Sequence, residues 1–159
     1  MIHTLPNNGQ TNDWLTPKWL HALLGEFDLD PCGHKDHLYR TAKKIICPPR
    51  DGLKAKWTGR VWLNPPYGSQ IKDWLKKMAK HGWGMALVPA RTEVESWFWP
   101  YIWEQAHAVL FLKGRLYFTR PDGRPAGNAG HGSVLVAYGE GEVMNLKWST
   151  VQGKFVKLR

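Results

Sequence analysis

Apolar residues recur along several stretches of the chain at the spacing of one helical face. In residues 71–78 the apolar side chains stand at positions 71, 74, 75 and 78, and lysines fill the opposite face, which predicts an amphipathic helix. An earlier helix is predicted from Pro17, which suits the first helical position, with Thr16 as its N-cap and Gly25 as its C-cap. The capping-box pattern of residues 92–95 predicts a third helix.

Between and after these helices the pattern changes to short apolar runs, which are typical of buried strands. They occur at residues 27–30, 44–47, 60–63, 84–90, 108–114, 115–119 and 132–139. Because strands alternate with helices, the pattern predicts an α/β fold with a mostly parallel, twisted sheet flanked by helices. The closing strands predict an antiparallel edge hairpin.

Two of the predicted strands end in unusual residues. Asp30-Pro31-Cys32-Gly33 follows the first strand, and Asn64-Pro65-Pro66-Tyr67 follows the third. In open α/β sheets the ligand site lies beyond the carboxyl ends of the strands. We therefore expect these two segments to border a binding site.

The segment from Asn64 to Tyr67 is predicted to form a stiff, extended corner. Proline fixes φ near about −65° and also restricts the residue before it, and two prolines follow one another here. Such a corner holds the Asn64 amide, the neighbouring backbone carbonyls and the Tyr67 ring at fixed separations. A purely structural turn at the end of a strand is the alternative interpretation.

Charge and composition narrow the class of protein. The 22 lysines and arginines outnumber the 13 acids and give a net charge of +9, which favours a polyanionic partner such as nucleic acid over a merely basic surface. The two cysteines and seven histidines show no metal-binding spacing, so we expect no metal and two reduced thiols. No apolar run approaches the roughly 18 residues of a membrane span.

Seven segments follow one another in order along the chain: residues 14–17 (WLTP), 29–31 (LDP), 51–53 (DGL) with Trp57, 61–67 (VWLNPPY), 87–92 (LVPART), 113–118 (KGRLYF) and 132–138 (GSVLVAY). Together they resemble the phage and prophage Dam-type DNA N-6-adenine methyltransferases, and the likeness covers most of residues 13–138. The NPPY corner resembles the signature of S-adenosylmethionine-dependent amino-methyltransferases. The resemblance implies a Rossmann-like class I methyltransferase fold close to a minimal catalytic core.

The resemblance also implies a reaction and a set of catalytic residues. The methyl group of S-adenosylmethionine would pass to the exocyclic nitrogen of an adenine flipped out of double-stranded DNA. The Asn64 side-chain oxygen and the Pro65 carbonyl would accept hydrogen bonds from that nitrogen, and Tyr67 would stack on the base. Pro66 completes the corner. An amide is a negligible base, so Asn64 would orient the amine without removing its proton.

The cofactor site implied by the resemblance lies around the first strand end. The residues expected there are Trp14, Thr16, Pro17, Asp30, Pro31, Cys32, Gly33, Asp51, Gly52 and Leu53. Asp30 would pair with the methionyl amine of S-adenosylmethionine, and Asp51 would contact its adenine amine. The alternatives are purely structural roles, in which Asp30 caps the following segment, Asp51 is an ordinary turn residue before Gly52, and Thr16 caps a helix.

The chain departs from the wider methyltransferase pattern at two places. The glycine-rich turn is reduced to DPCGHKDH, with a single glycine, and no acid clearly ends the strand at residues 45–47 to hold the cofactor ribose. Residues 31–63 also leave no room for an inserted recognition domain. We therefore expect loops around the site to contact DNA, through Arg91, Lys113, Arg115, Tyr117, Arg120 and Arg124.

Several alternatives remain open at this stage. The same corner serves methylation of RNA adenine and of protein glutamine, and a catalytically idle nucleic-acid-binding module could keep the fold. Whether methylation is site-specific or relaxed does not follow from the sequence, and neither does the oligomeric state. The catalytic domain is expected at residues 13–140, after a lead of residues 1–12 and before a basic C-terminal hairpin or tail at residues 141–159. No signal peptide is evident, so we expect a cytoplasmic protein.

Overall fold

A seven-stranded sheet dominates the computed structural model, which describes residues 14–128 and 130–159. The predicted lead of residues 1–12 lies outside the described residues. The helices are α1 Lys18–Ala22, α2 Ile71–His81 and α3 Glu140–Lys147, and a π-helical turn spans Trp99–Trp103. The strands are β1 Leu29–Asp30, β2 Lys44–Ile45, β3 Val61–Leu63, β4 Gly84–Pro89, β5 Ala108–Leu112, β6 Tyr117–Thr119, β7 Pro125–Asn128, β8 Ser133–Tyr138 and β9 Gly153–Lys157.

The strand order in the main sheet is β2-β1-β3-β4-β8-β5-β9. Strands β2, β1, β3 and β4 pair in parallel, whereas β8 runs antiparallel between β4 and β5. Strands β4 and β5 consequently point the same way, and their carboxyl ends lie at one edge with those of β1 and β3. Strands β6 and β7 form a separate hairpin. The predicted α/β fold with a mostly parallel sheet is confirmed.

Alternate residues of each strand pack into two hydrophobic cores on opposite faces of the sheet, as the two-residue period of a strand requires. On one face Leu63 and Ala86 pack with the apolar side of α2, and on the other Trp62 and Met85 pack with α1 and α3. The predicted inner face of α2 is confirmed, because Ile71, Trp74, Leu75 and Met78 are all buried. Helices on both faces leave the ends of the strands as the accessible places for a ligand.

Two predicted features differ from the structure. The capping-box segment does not begin an α-helix: residues 92–98 are mostly turns and lead into the π-helical turn, where the amide of Glu104 bonds the carbonyl of Trp99. Pro100 has no N–H to donate, which interrupts regular α-helical bonding there. Helix α1 begins at Lys18, and the Thr16 hydroxyl bonds elsewhere, so the predicted N-cap is wrong.

The C-terminal residues 141–159 also depart from the predicted hairpin or tail. Helix α3 covers their first part, and β9 then pairs with β5 along five residues as an edge strand of the main sheet. Leu146 of α3 is fully buried and Val143 nearly so, so this helix contributes to one of the two cores. The strands predicted before residue 140 follow one another along the chain as expected. Strand β8 was expected in an antiparallel hairpin at the edge of the sheet, but it lies inside the sheet.

The strand order reverses beside β1. The chain passes from β1 to β2 on one side and then crosses to β3 on the other side of β1. A crevice forms outside the carboxyl ends of the strands at such a reversal, and ligands of open α/β sheets bind there. Asp30 ends β1 and Asn64 follows β3, so both lie at this position.

Candidate active site

The corner after β3 is anchored by the N-terminal segment of the described chain. The Asn64 side-chain nitrogen donates to the Trp14 carbonyl oxygen at 3.1 Å and to the Thr16 hydroxyl oxygen at 3.2 Å. A carbonyl oxygen can only accept, so the Trp14 contact fixes which end of the amide is the nitrogen. The opposite end is Oδ1, and no described residue donates to it. Asn64 therefore presents an oxygen acceptor at the switch point.

Both the hydroxyl and the ring of Tyr67 contact neighbouring residues. Its hydroxyl donates to the Leu87 carbonyl oxygen at 3.4 Å, and burial of that hydroxyl raises the pKa of Tyr67 well above its usual range. The half-buried ring meets Phe118 edge-on at a centroid distance of 6.2 Å and His131 at 5.7 Å. Within the corner Pro65 is buried and Pro66 is exposed. The ring is fixed in place without being sealed from solvent.

Asp30 is a buried carboxylate with neutral partners. Its side chain accepts a hydrogen bond from the Cys32 backbone N–H at 3.0 Å and another from the Thr41 hydroxyl. Asp30 is only 3% exposed, and no basic side chain among the described residues forms an ion pair with it. Burial raises the pKa of Asp30 to about 6, and the two hydrogen bonds only partly oppose this. The geometry suits a site that receives a positive charge.

Two glycines near the carboxyl end of β1, Gly33 and Gly52, are packed too tightly to be replaced by a larger residue. A Cβ on Gly33 would lie 2.3 Å from a side-chain carbon of Ile45, and a Cβ on Gly52 would lie 1.8 Å from the Pro31 carbonyl oxygen. The Gly52 carbonyl in turn accepts from the buried Trp57 indole at 2.8 Å. The structure thus brings residues 51–53 against residues 30–33, and the contacting residues Pro31 and Gly52 are 21 positions apart in the sequence.

Asp51 behaves as a turn residue in this structure. Its carboxylate accepts from the backbone N–H of Leu53 at 2.9 Å and lies 3.7 Å from the Lys54 ammonium, with 45% of the side chain exposed. This is the arrangement of an ordinary Asx turn. The carboxylate oxygen that faces Lys54 is the one that does not accept from Leu53. Cys32 is half-buried, and burial of its thiol, together with the nearby Asp30 carboxylate, raises the pKa of that thiol to about 12.

The residues predicted to contact DNA lie at the same edge of the sheet. Arg91 follows β4, Lys113 and Arg115 follow β5, and Tyr117 on the β6–β7 hairpin is 63% exposed. The neighbouring ring, Phe118, is buried against Trp14 and Tyr67, which makes it a packing residue.

Two of the predicted arginines are already paired with acids. Arg124 bonds Asp122 through its side chain at 2.7 Å, and Arg91 bonds Glu93 at 3.3 Å. Both pairs are exposed, and exposed pairs contribute little energy. A phosphate could therefore displace either acid.

Three residues that the sequence did not indicate contribute to the site. Thr41 donates to Asp30, the Tyr39 hydroxyl donates to the Thr16 carbonyl oxygen at 2.8 Å, and His131 lies beside Tyr67. Thr41 and Tyr39 belong to an irregular segment without periodicity, so no sequence pattern marks them. His131 precedes β8, whose antiparallel insertion between β4 and β5 brings it to this edge.

A mostly parallel α/β sheet, with an oriented amide and a buried acid at its switch point, is compatible with the methyltransferase class of fold. The chain matches the sequence model of the family described as DNA N-6-adenine-methyltransferase (Dam) over residues 4–154. It therefore belongs to the Dam family of DNA N-6-adenine methyltransferases, a family that generally uses S-adenosylmethionine. Comparison with curated proteins and with solved structures gave no match. No helix within the described residues is long and apolar enough to cross a membrane.

Proposed function

We propose that this protein transfers the methyl group of S-adenosylmethionine to the N6 atom of an adenine flipped out of double-stranded DNA. The observation that carries the proposal is the orientation of Asn64. Its nitrogen is occupied by the Trp14 carbonyl and the Thr16 hydroxyl, so its oxygen is left to accept from a ligand. The amino group of adenine is a donor that matches this acceptor.

Two acceptors at the corner would activate the adenine amino group. Its lone pair is delocalised into the ring, which makes the nitrogen a weak nucleophile. Hydrogen bonds from its two hydrogens to Asn64 Oδ1 and to the Pro65 carbonyl favour a tetrahedral nitrogen and stabilise the positive charge that develops on it. The Tyr67 ring, fixed through its hydroxyl, provides a surface on which the base stacks, a contact worth about 1–3 kcal/mol.

Asp30, at the carboxyl end of β1, is the residue that would receive the amine of the cofactor's methionyl group. S-adenosylmethionine supplies a methyl group already made electrophilic by its sulfonium. Asp30 would bind the ammonium, since a buried carboxylate without a cation gains most from a positive ligand. Gly52 packs closely on Pro31, so residues 30–33 and 51–53 would together form one wall of the cofactor site. Trp14, Thr16 and Pro17 border the corner from the other side.

DNA would lie across the carboxyl edge of the sheet. The exposed side chains of Lys113, Arg115 and Tyr117 and the partly exposed Arg120 surround the corner on its β6 side, where basic groups meet phosphates and a ring can stack on a base. Arg91 and Arg124 would exchange their acidic partners for phosphate or for a guanine edge.

The substrate is tested by incubating the protein with tritiated S-adenosylmethionine and unmethylated DNA, RNA or protein. Label in DNA, recovered as N6-methyladenine, is expected. Label confined to RNA or protein would show that this fraction, and not DNA, contains the substrate. DNA binding without label in any fraction would indicate a catalytically idle binding module. Sequencing of the methylated positions then distinguishes site-specific from relaxed methylation.

The role of the corner is tested by Asn64→Ala. We expect turnover to fall by about 10²–10³-fold, the usual effect of losing one preorganised hydrogen-bonding group that stabilises a transition state. Cofactor affinity, measured by calorimetry, should change little, because Asn64 is assigned to the substrate. A loss of cofactor binding as large as the loss of turnover would contradict that assignment.

A further inference from the structure

The Asn64 amide is held by the segment of residues 14–16. Both acceptors of its nitrogen come from this segment, one a backbone carbonyl and the other the Thr16 hydroxyl. If the amide were turned by 180°, Oδ1 would face the Trp14 carbonyl oxygen, and two acceptors would meet without a hydrogen between them. The segment therefore selects one of the two amide orientations.

The Thr16 segment is itself fixed from both sides. Leu15 and Thr119 exchange backbone hydrogen bonds of 2.9 and 3.0 Å, which attach the segment to β6. On the other side the Tyr39 hydroxyl donates to the Thr16 carbonyl oxygen at 2.8 Å. Thr16 is only 1% exposed, and Pro17 restricts the backbone after it. A hydroxyl held this firmly can orient a neighbouring side chain.

We propose that Thr16 is a positioning residue, which with the Trp14 carbonyl holds the Asn64 amide so that Oδ1 is presented to the substrate amine. Tyr39 supports Thr16 from behind. The catalytic consequence rests on the proposed function, because it needs an amine to be methylated at this corner. The orientation of the amide does not, and it can be measured without any reaction.

The kinetic test compares Thr16→Val with Thr16→Ser. Valine keeps the shape of threonine without its hydroxyl, whereas serine keeps the hydroxyl without the methyl group. Loss of one hydrogen bond to Asn64 should lower kcat roughly tenfold in Thr16→Val, with cofactor affinity nearly unchanged, and Thr16→Ser should stay close to the wild type. Tyr39→Phe should lower kcat in the same direction and by less.

Two kinetic outcomes would overturn the proposal. If Thr16→Val weakened cofactor binding and left kcat unchanged, Thr16 would be a cofactor contact. If Thr16→Ser were as impaired as Thr16→Val, the methyl group and its packing would matter and the hydroxyl would not.

A second measurement separates this inference from the proposed function. In protein labelled with ¹⁵N-asparagine, the side-chain NH₂ signals of Asn64 are identified by their absence in Asn64→Ala. Their hydrogen exchange should be slow in the wild type and in Thr16→Ser, and faster in Thr16→Val. Unchanged exchange in Thr16→Val would disprove the positioning role. Absence of methyl transfer to any substrate, with this difference present, would instead disprove the proposed function alone.

Discussion

Two carboxylates are buried at opposite edges of the same sheet, and their surroundings differ. Glu142, on α3, is 1% exposed and receives two hydrogen bonds from the Arg60 guanidinium, at 2.6 and 2.7 Å. Asp30, at the carboxyl end of β1, is 3% exposed, and among the described residues it receives hydrogen bonds only from the Cys32 backbone and the Thr41 hydroxyl. Arg60 precedes β3 and α3 follows the antiparallel β8, so the first pair lies at the amino edge.

This is the difference expected between an acid with a structural role and an acid that binds a positively charged ligand. Burial of a charged group is costly unless an opposite charge and hydrogen bonds compensate it. Arg60 compensates Glu142, and the same guanidinium also bonds the Glu26 carbonyl and lies 4.1 Å over the Phe27 ring. Asp30 has no such cation among the described residues, and its pKa is raised to about 6. Asp30, the acid without a cation, lies at the switch point, where a positively charged ligand would compensate its charge.

The largest expected effect comes from breaking the pair at the amino edge. Arg60→Met should lower the free energy of unfolding by about 3–5 kcal/mol, because it leaves Glu142 buried without its cation. Urea denaturation at pH 7 measures the change. The double variant Arg60→Met with Glu142→Leu is the control, and it should recover much of the loss by removing the buried charge. A double variant no more stable than Arg60→Met would mean that the ion pair is not what the single change destroys.

The second prediction concerns Asp30, whose replacement is expected to increase the free energy of unfolding. A carboxyl whose folded pKa lies near 6, above its ordinary value of 3.8, binds more protons in the folded state between these values. Stability therefore falls as the pH rises through this window. Asp30→Asn removes the penalty, so its stability relative to the wild type should increase between pH 4 and pH 7 by on the order of 2–3 kcal/mol.

Denaturation of both proteins at each pH gives this difference without contributions from other groups. The same variant should bind S-adenosylmethionine about 100-fold more weakly, because the amide carries no charge to pair with the ammonium. Increased stability together with weakened binding would distinguish Asp30 from Glu142 sharply. Loss of stability in Asp30→Asn at pH 7 would show that Asp30, like Glu142, stabilises the fold in its charged form, and would contradict the contrast between the two acids.

Local patterns predicted the parts of the fold that depend on local physics. The inner face of α2 follows from apolar spacing alone, and strands β1 to β6 and β8 follow from apolar runs between breakers. Strand β7 has no such run and lies in a segment that the sequence suggested to be a polar loop. The capping box at residues 92–95 was overridden, because Pro100 cannot donate and the chain adopts i to i−5 bonds there. The insertion of β8 between β4 and β5 depends on pairing between distant segments, which periodicity does not contain.

The same division applies to the candidate site. The unusual residues at the two strand ends were visible in the sequence, and the topology brings both ends to one switch point. What the sequence could not indicate is which neutral groups hold them. The side-chain donors to Asp30 and to the Thr16 carbonyl come from residues 39–41, an irregular stretch without a motif. The assignment of Thr16 as a helix cap failed for a related reason, since the acceptor role of its hydroxyl depends on Asn64, 48 residues away.

The smallest expected effect tests how strongly Asp30 depends on its neutral partner. Thr41→Val removes a hydrogen bond to the carboxylate and keeps the shape of the side chain, so the pKa of Asp30 should rise further. At pH 7 we expect S-adenosylmethionine to bind about fivefold more weakly, close to 1 kcal/mol, as for the loss of one ordinary hydrogen bond. Calorimetry from pH 5.5 to 8 measures this, with Thr41→Ser as the matched control that keeps the hydroxyl. Because protonated Asp30 does not attract an ammonium, the deficit of Thr41→Val should grow as the pH falls. A deficit equal at every pH, or shared by Thr41→Ser, would show that Thr41 acts by packing and that neutral donors do not tune this acid.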